Sequence, residues 1–231
     1  MEQQRATFPV TSRTQVKRRP DRASYDRAVA HAILDEALVA SVGFVDQGVP
    51  FVIPMAFARQ DERLILHGAS KSRLQTSLAS GAPICVTVTL LDGVVLARSA
   101  MHHSMNYRSV LVLGEPHEIE DTAQKLEALD RLVEHVLPGR SLATRPPNEL
   151  ELKATRVFWL PLEEVSIKVR SGGPIDDAED LPLQHWAGVI PLALRAAEPV
   201  PDPRHSPHAA VPPAALAYDR AVRPVSTAGA R

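Results

Sequence analysis

Strand-like runs in this chain are joined by links too short to hold a helix. Residues 38–45 lead into residues 49–58 across Asp46-Gln47-Gly48, and residues 59–62 are polar turn material before a run ending at His67. Residues 83–91 alternate as Val86, Thr87, Val88, Thr89, and Asp92-Gly93 reads as a hairpin turn into residues 94–100. Residues 107–114, 155–162 and 165–169 complete the set. Parallel strands need a crossover of a dozen or more residues, usually helical, so these links disfavour a doubly wound sheet. They predict a mainly β, α+β chain built as an antiparallel barrel.

Three helices flank the strands in this reading. Ser24 is placed to cap the first, with Asp26 in its first turn and Val29, Ala32, Ile33 and Ala37 at helical spacing. The second, near residues 70–80, sets Leu74 and Leu78 on one face. The third, near residues 121–136, carries Leu126, Leu129, Leu132, Val133 and Val136 as its apolar stripe. Residues 1–22, with Arg13, Lys17, Arg18, Arg19 and Arg22, read as a basic flexible arm. Residues 23–195 read as the folded domain, and the Pro/Ala-rich residues 196–231 as a disordered tail in which His205 and His208 are solvated.

Charge and composition narrow the function. A net charge of -1 over 231 residues argues against nucleic acid as a partner. One cysteine, Cys85, rules out an intrachain disulfide and a paired-cysteine metal site. No run of about 18 apolar residues is present and the start lacks a secretory apolar segment, so a cytoplasmic protein without membrane contact is expected. The adjacent His102 and His103 read as a loop pair rather than metal ligands, and His31, His117 and His135 as surface residues.

The chemistry-bearing segment lies between residues 50 and 114. Helix N-termini carry free N–H groups and a positive dipole end. Here Ser70, Lys71, Ser72 and Arg73 add hydroxyls and cations at the start of the second helix, forming a phosphate socket with no Walker A or GxGxxG loop in the chain. The competing reading is an ordinary solvated helix start capped by Ser70.

The ordered pieces PFVIPMAF, LHGASKSRL, DGVVLARS, NYRSVLVLG, the helix leading to LPGR, and WAGVIPL resemble the pyridoxamine-5′-phosphate-oxidase-like FMN-binding split-barrel proteins. Within them they resemble the nitroimidazole-resistance (Nim) branch. The resemblance spans about residues 22–192 and leaves both terminal segments outside it. It implies a six-stranded antiparallel Greek-key split β-barrel with flanking helices, and a homodimer holding FMN at its interface. Ser72 and Arg73 match the phosphate-binding positions, with Ser70 and Lys71 beside them. Val52, Ile53, Pro54 and Met55 match the strand lying along the flavin ring. His67 matches a strand end beside the cofactor, and in Nim-like proteins a histidine here is associated with the active site. Tyr107, Arg108 and Ser109 match a segment reaching FMN from the partner subunit. Lys168 and Trp186 are further cofactor candidates. The bland alternatives are a strand-end histidine for His67, interface contacts for Tyr107 and Arg108, a solvated loop edge for Lys168 and Arg170, and a structural anchor for Trp186.

No GxSxG elbow, HExxH or supported Cys/His nucleophile is present, which leaves redox chemistry supplied by a cofactor. The expected activity is electron transfer from reduced flavin to a small acceptor, a nitroaromatic one being implied by the Nim resemblance, with His67, of ordinary pKa ~6.5, as proton donor. Pyridoxamine-phosphate oxidation itself is disfavoured, because HWAGVIPL lacks the substrate-gripping arginine expected there. The alternatives are a flavin- or haem-binding storage or sensor protein, a deazaflavin protein, and a cofactor-free barrel.

Overall fold

The computed structural model describes residues 6–204 and 210–218. Two compact units form where one domain was expected. Of the described residues, the larger holds those up to Leu90 together with Ser109–Val169; the smaller holds Leu91–Arg108 and those from Arg170 onward.

The larger unit contains β1 (Ala23–Ser24), α1 (Arg27–Glu36), β2 (Val39–Asp46), β3 (Val49–Gln60), β4 (Arg63–Ala69) and α2 (Arg73–Ala79). It also contains most of β5 (Ile84–Leu96) and of β6 (Ser104–Gly114), then β7 (His117–Glu118), α3 (Thr122–Val136), α4 (Glu149–Ala154), β8 (Thr155–Pro161) and β9 (Glu164–Arg170). Its strand order is β1-β9-β6-β5-β2-β3-β4-β8-β7. The path is open at both ends, as in a split barrel. Edge strands of two residues, β1 and β7, extend it beyond the barrel strands expected from the resemblance.

The β2–β3 turn forms as predicted, with Gln47 at φ 49° and Gly48 at φ 80°. Two left-handed residues match the twist of a tight hairpin. Alternation then sorts the side chains. Ala40, Val42 and Phe44 of β2, Leu64 and Leu66 of β4, and Val86 and Val88 of β5 enter one core, closed by Ile33 and Leu34 of α1 and by Leu74 and Leu78 of α2. Ala58, Ile65 and Val157 face the opposite side, under Ala128 and Leu132 of α3.

Several local expectations are corrected. The cap of α1 is Asp26, which accepts from Ala28 N at 2.7 Å, while Ser24 pairs with Ile167 in β1. A carboxylate at the N-cap satisfies the free N–H groups and meets the dipole, so it displaces the serine. The buried face of α3 is Ala128, Leu132 and His135, and Val136 is exposed. His135, expected on the surface, bonds through Nε2 to Ala37 O at 2.6 Å and packs on the Phe57 ring. The N-terminal segment, expected as a flexible arm, is packed over its described part. Phe8 is 2% exposed in the main core, Thr14 is buried, and Val16 N donates to the Tyr25 hydroxyl at 3.0 Å.

The smaller unit contains the distal ends of β5 and β6, linked by a 3-10 turn at Ala100–His102, then β10 (Gly188–Pro191) and α5 (Pro213–Leu216). The predicted Asp92-Gly93 hairpin does not form; β5 runs straight through it. Two interactions account for this. Asp92 is engaged by Arg108, and Gly93 lies opposite Pro191 of β10, where a Cβ would stand 3.1 Å from Ile190 O. Here the glycine serves close approach rather than a turn. The segment before β10 is tied down by Arg98 on Asp176 at 2.7 Å and by Arg170 donating to Gly173 O at 3.0 Å. Residues 196–204 have no regular structure. His205 and His208, and much of the tail read as disordered, lie outside the described residues. No helix among the described residues is long and apolar enough to cross a membrane.

Candidate functional site

The segment Val49–Ala56 of β3 has one paired edge and one open edge. It pairs with β2 throughout, from Asp46↔Val49 to Val39↔Ala56, whereas β4 pairs only with residues 57–60. Pro50 and Pro54 lie in the open part. Proline is tolerated in a strand where its missing N–H faces an unpaired edge. Residues of the same parity, Val52 among them, therefore aim their backbone groups outward along the edge. Side chains divide by parity as well. Phe51, Ile53 and Met55 pack on the main core, while Val52 is 70% exposed and Pro54 is also exposed. Of the four predicted ring-contact residues, Val52 and Pro54 have exposed side chains on the open stretch, and Ile53 and Met55 turn theirs into the core.

The predicted phosphate socket follows β4. Ser70 N donates to Ala154 O at 2.8 Å and Ser72 N to Ala69 O at 2.8 Å. The helix therefore begins later than predicted. Ser72, not Ser70, is the N-cap, and its Oγ accepts from Gln75 N at 3.3 Å. Ser70 and Lys71 belong to the preceding turn. Arg73, the first helical residue, lays its guanidinium over the Phe51 ring, 4.5 Å from the centroid, with Nε 3.5 Å from Asp46. The socket and the open stretch of β3 are thus neighbours, held together by Arg73 and Phe51.

His67 lies two residues before the end of β4, on the face carrying Ile65 and opposite Val157 of β8. It is half-buried, and its Nδ1 is buried with no hydrogen-bond partner. Burial lowers its pKa below the ordinary value, so the imidazole is neutral at pH 7. The neutral form of the ring carries a lone pair on one nitrogen.

Gln75 is buried across Gly68, where an added Cβ would stand 2.6 Å from its Nε2, and its Oε1 has no partner. No periodic or motif signal marks Gln75, and sequence reading missed it, as it missed Phe51 and Asp46.

The remaining predicted residues fall elsewhere. Ser109 Oγ donates to Lys168 O at 3.4 Å in the larger unit, joining β6 to β9 through the lysine's backbone. In the smaller unit Tyr107 is half-buried, and Arg108, 3% exposed, forks onto Asp92 through Nε at 2.9 Å and Nη2 at 2.8 Å. That fork is a structural commitment. Trp186 is 67% exposed, its ring lying on Gly188, where a Cβ would come within 2.9 Å of it. His102 and His103 sit at the 3-10 turn, bonded to Ile175 O and, at 3.0 Å, to Ser99 O. The described residues contain no cluster of three or more His, Cys, Asp or Glu able to hold a metal.

An open antiparallel split sheet with flanking helices, and a cationic helix start beside its unpaired strand edge, define a split-barrel protein. Residues 26–169, more than half of the chain, match the family model described as pyridoxamine 5′-phosphate oxidase, and the chain belongs to that family. Among solved structures it is similar to the flavocytochrome Anf3 of Azotobacter vinelandii, with 43% identity over 90% of this chain and 97% of that chain at a TM-score of 0.86. It is also similar to the FAD and heme binding protein of Mycobacterium smegmatis, with 36% identity over 84% and 95% of the two chains at a TM-score of 0.80. A candidate 5-nitroimidazole antibiotic resistance protein of Bacteroides thetaiotaomicron shares 25% identity over 64% and 86% of the chains, with a TM-score of 0.55. No curated protein matches the chain.

Proposed function

We propose that this protein is a flavin-dependent oxidoreductase that passes electrons from reduced flavin to a small acceptor. The observation that carries the reading is the open edge of β3 at Val49–Ala56 with Arg73 packed against Phe51 beside it. A flavin needs one surface for a planar ring, backbone groups for the ring's polar edge, and a cation with hydroxyls for its phosphate. The residues present fit. Val52 and Pro54 offer an apolar face, the unpaired edge offers N–H and C=O groups, and Ser72, Arg73 and Lys71 supply a hydroxyl and two cations for the phosphate. Ring and first phosphate are common to FMN, the flavin expected from sequence, and to FAD, named for the mycobacterial neighbour.

When bound, flavin supplies the hydride and single-electron chemistry. The chain orients it. Phe51 fixes Arg73, the open edge fixes the ring plane, and neutral His67 can accept a proton from a reacting group. Nitroaromatic compounds are one acceptor class, supported by the likeness to the Bacteroides protein. The exposed Val39, Val45 and Val52 share one sheet face, an apolar surface suited to a second copy in a cytoplasmic homodimer.

A second reading adds haem. It is favoured by His67, whose burial keeps the ring neutral, as metal ligation requires, and whose Nδ1 has no competing partner.

The test is the visible spectrum of freshly purified protein, with the mass of any released ligand. Bands near about 370 and 450 nm with a flavin mass support the reading, and a Soret band supports the second. Bleaching by NADH or NADPH and recovery with an oxidant distinguish turnover from storage. Colourless protein that takes up no added flavin would sink the proposal.

A further inference from the structure

The basic segment before β1, expected as a flexible arm, is a compact loop. Thr11 Oγ1 donates to Glu164 Oε1 at 3.0 Å, and Arg13 forks onto the same carboxylate, at the start of β9. Ala23 pairs with Lys168 of β9, four residues further on. Both ends of the stretch Thr11–Arg22 are therefore tied to one strand, at points roughly 13 Å apart. Between them Val16 N donates to the Tyr25 hydroxyl at 3.0 Å, and that hydroxyl donates to Thr14 O at 3.1 Å. Arg22 N bonds to Arg19 O at 3.0 Å.

Tying the loop down gathers its charge. Five cations, Arg13, Lys17, Arg18, Arg19 and Arg22, stand against one carboxylate, Asp21. Arg13 is taken by Glu164, and Arg19 forks onto Asp21 at 3.0 and 2.8 Å. Lys17, Arg18 and Arg22 make no ion pair or side-chain hydrogen bond among the described residues, and Lys17 and Arg18 are exposed. Lys168, opposite Ala23, adds a cation on the neighbouring strand. A flexible arm would spread these charges. The packed loop holds them together against their repulsion, which a partner of opposite sign relieves.

We infer that the Thr11–Arg22 loop is the docking face for a small acidic electron-carrier protein, which supplies the electrons that reduce the flavin. The inference rests on the flavin reading above, since a flavin that gives electrons to an acceptor has to be reduced again. Each carrier molecule is oxidised by one electron, two encounters supply the pair, and solvent supplies the protons. The charge distribution favours a protein over an extended polyanion. The loop carries +4 and the whole chain -1, so the remaining residues carry -5. A nucleic acid or an anionic membrane would meet that negative charge as well as the loop. A compact acidic patch meets the loop alone and is steered onto it. The loop ends before residue 26, where the family match begins, so the family model does not account for it.

The experiment uses the full-length, flavin-loaded protein with an acidic plant-type ferredoxin as probe. Calorimetry follows binding, and stopped-flow absorbance follows flavin bleaching by the reduced probe. The forms compared are wild type, the triple variant Lys17→Gln, Arg18→Gln, Arg22→Gln, and the same three positions changed to Glu. Wild type is expected to bind at about 20 mM salt and about tenfold more weakly at 200 mM, where the screening length falls below about 8 Å. The Gln triple should weaken binding about tenfold at low salt and the Glu triple further, with the bleaching rate falling in step. Flavin content and unfolding midpoint should stay at wild-type values in both. Flavin-loaded wild type that does not bind the probe at low salt, binds it without bleaching, or binds it no better than the variants overturns the docking face and leaves the flavin reading standing. Tighter loop-dependent binding of duplex DNA or of phosphatidylcholine–phosphatidylserine vesicles than of the probe overturns it in favour of a polyanion. Protein that takes up no flavin overturns both.

Discussion

The guanidinium carbon of Arg73 stands 4.5 Å from the centroid of the Phe51 ring, which joins the start of α2 to the open stretch of β3. The ring leaves the edge of the guanidinium available to a ligand while restricting its motion. Arg73→Ala is expected to weaken flavin binding about tenfold or more, and Arg73→Lys to give an intermediate loss, because an ammonium keeps the charge but neither stacks nor forks. Flavin occupancy after purification is the readout. Full occupancy in Arg73→Ala would show that the phosphate is held elsewhere.

The buried fork of Arg108 on Asp92 gives a stability prediction. Removing the carboxylate takes the fork partner from a guanidinium that is 3% exposed. Asp92→Ala should cost about 3 kcal/mol, and the double change Asp92→Leu with Arg108→Met should recover much of that loss. Urea unfolding of the three variants checks this; a loss in the double variant as large as in the single would contradict it.

Acid should destabilise the fold through His67. Its native pKa lies below the unfolded value of about 6.5, so the unfolded chain binds the proton first as pH falls. Stability contributed this way is full above that value and declines as pH drops toward the native pKa. His31 is shifted the same way, by burial first and then by Arg59, and adds to the slope. His67→Gln should flatten the decline between about pH 7 and pH 5. An unchanged slope in that variant would remove His67 from the account.

At Gly93, a methyl group would meet Ile190 O and Val189 Cγ1, each at 3.1 Å. Gly93→Ala should loosen β10 at a cost of about 1 kcal/mol, with faster amide exchange at Leu192, whose N–H bonds to Asp92 O at 3.0 Å. Unaltered exchange at Leu192 would mean that β10 accommodates the group.

Local signals carried much of the fold into the sequence. Short links and period-two alternation gave the antiparallel sheet, and Gln47-Gly48 gave its first hairpin. The failures came where tertiary contacts decide. Asp92-Gly93 has turn chemistry, yet Arg108, sixteen positions away, and β10, far along the chain, hold it straight. Ser24 has capping chemistry, but Asp26 outcompetes it. For the candidate site, the Ser72-Arg73 helix start was legible because caps and charges are local. Phe51 under Arg73 and the orphaned Gln75 depend on packing between separate segments, which no single segment encodes.

Phe8 bears on how this protein can be divided. The family match begins at residue 26, yet a phenylalanine 18 positions earlier fills part of the main core. A recombinant fragment trimmed to residues 26–169 would carry an empty space the size of that ring, at about 3 kcal/mol or more. The span that inheritance marks as one module is shorter than the span that thermodynamics requires, and a soluble, assayable protein should be made from the longer one.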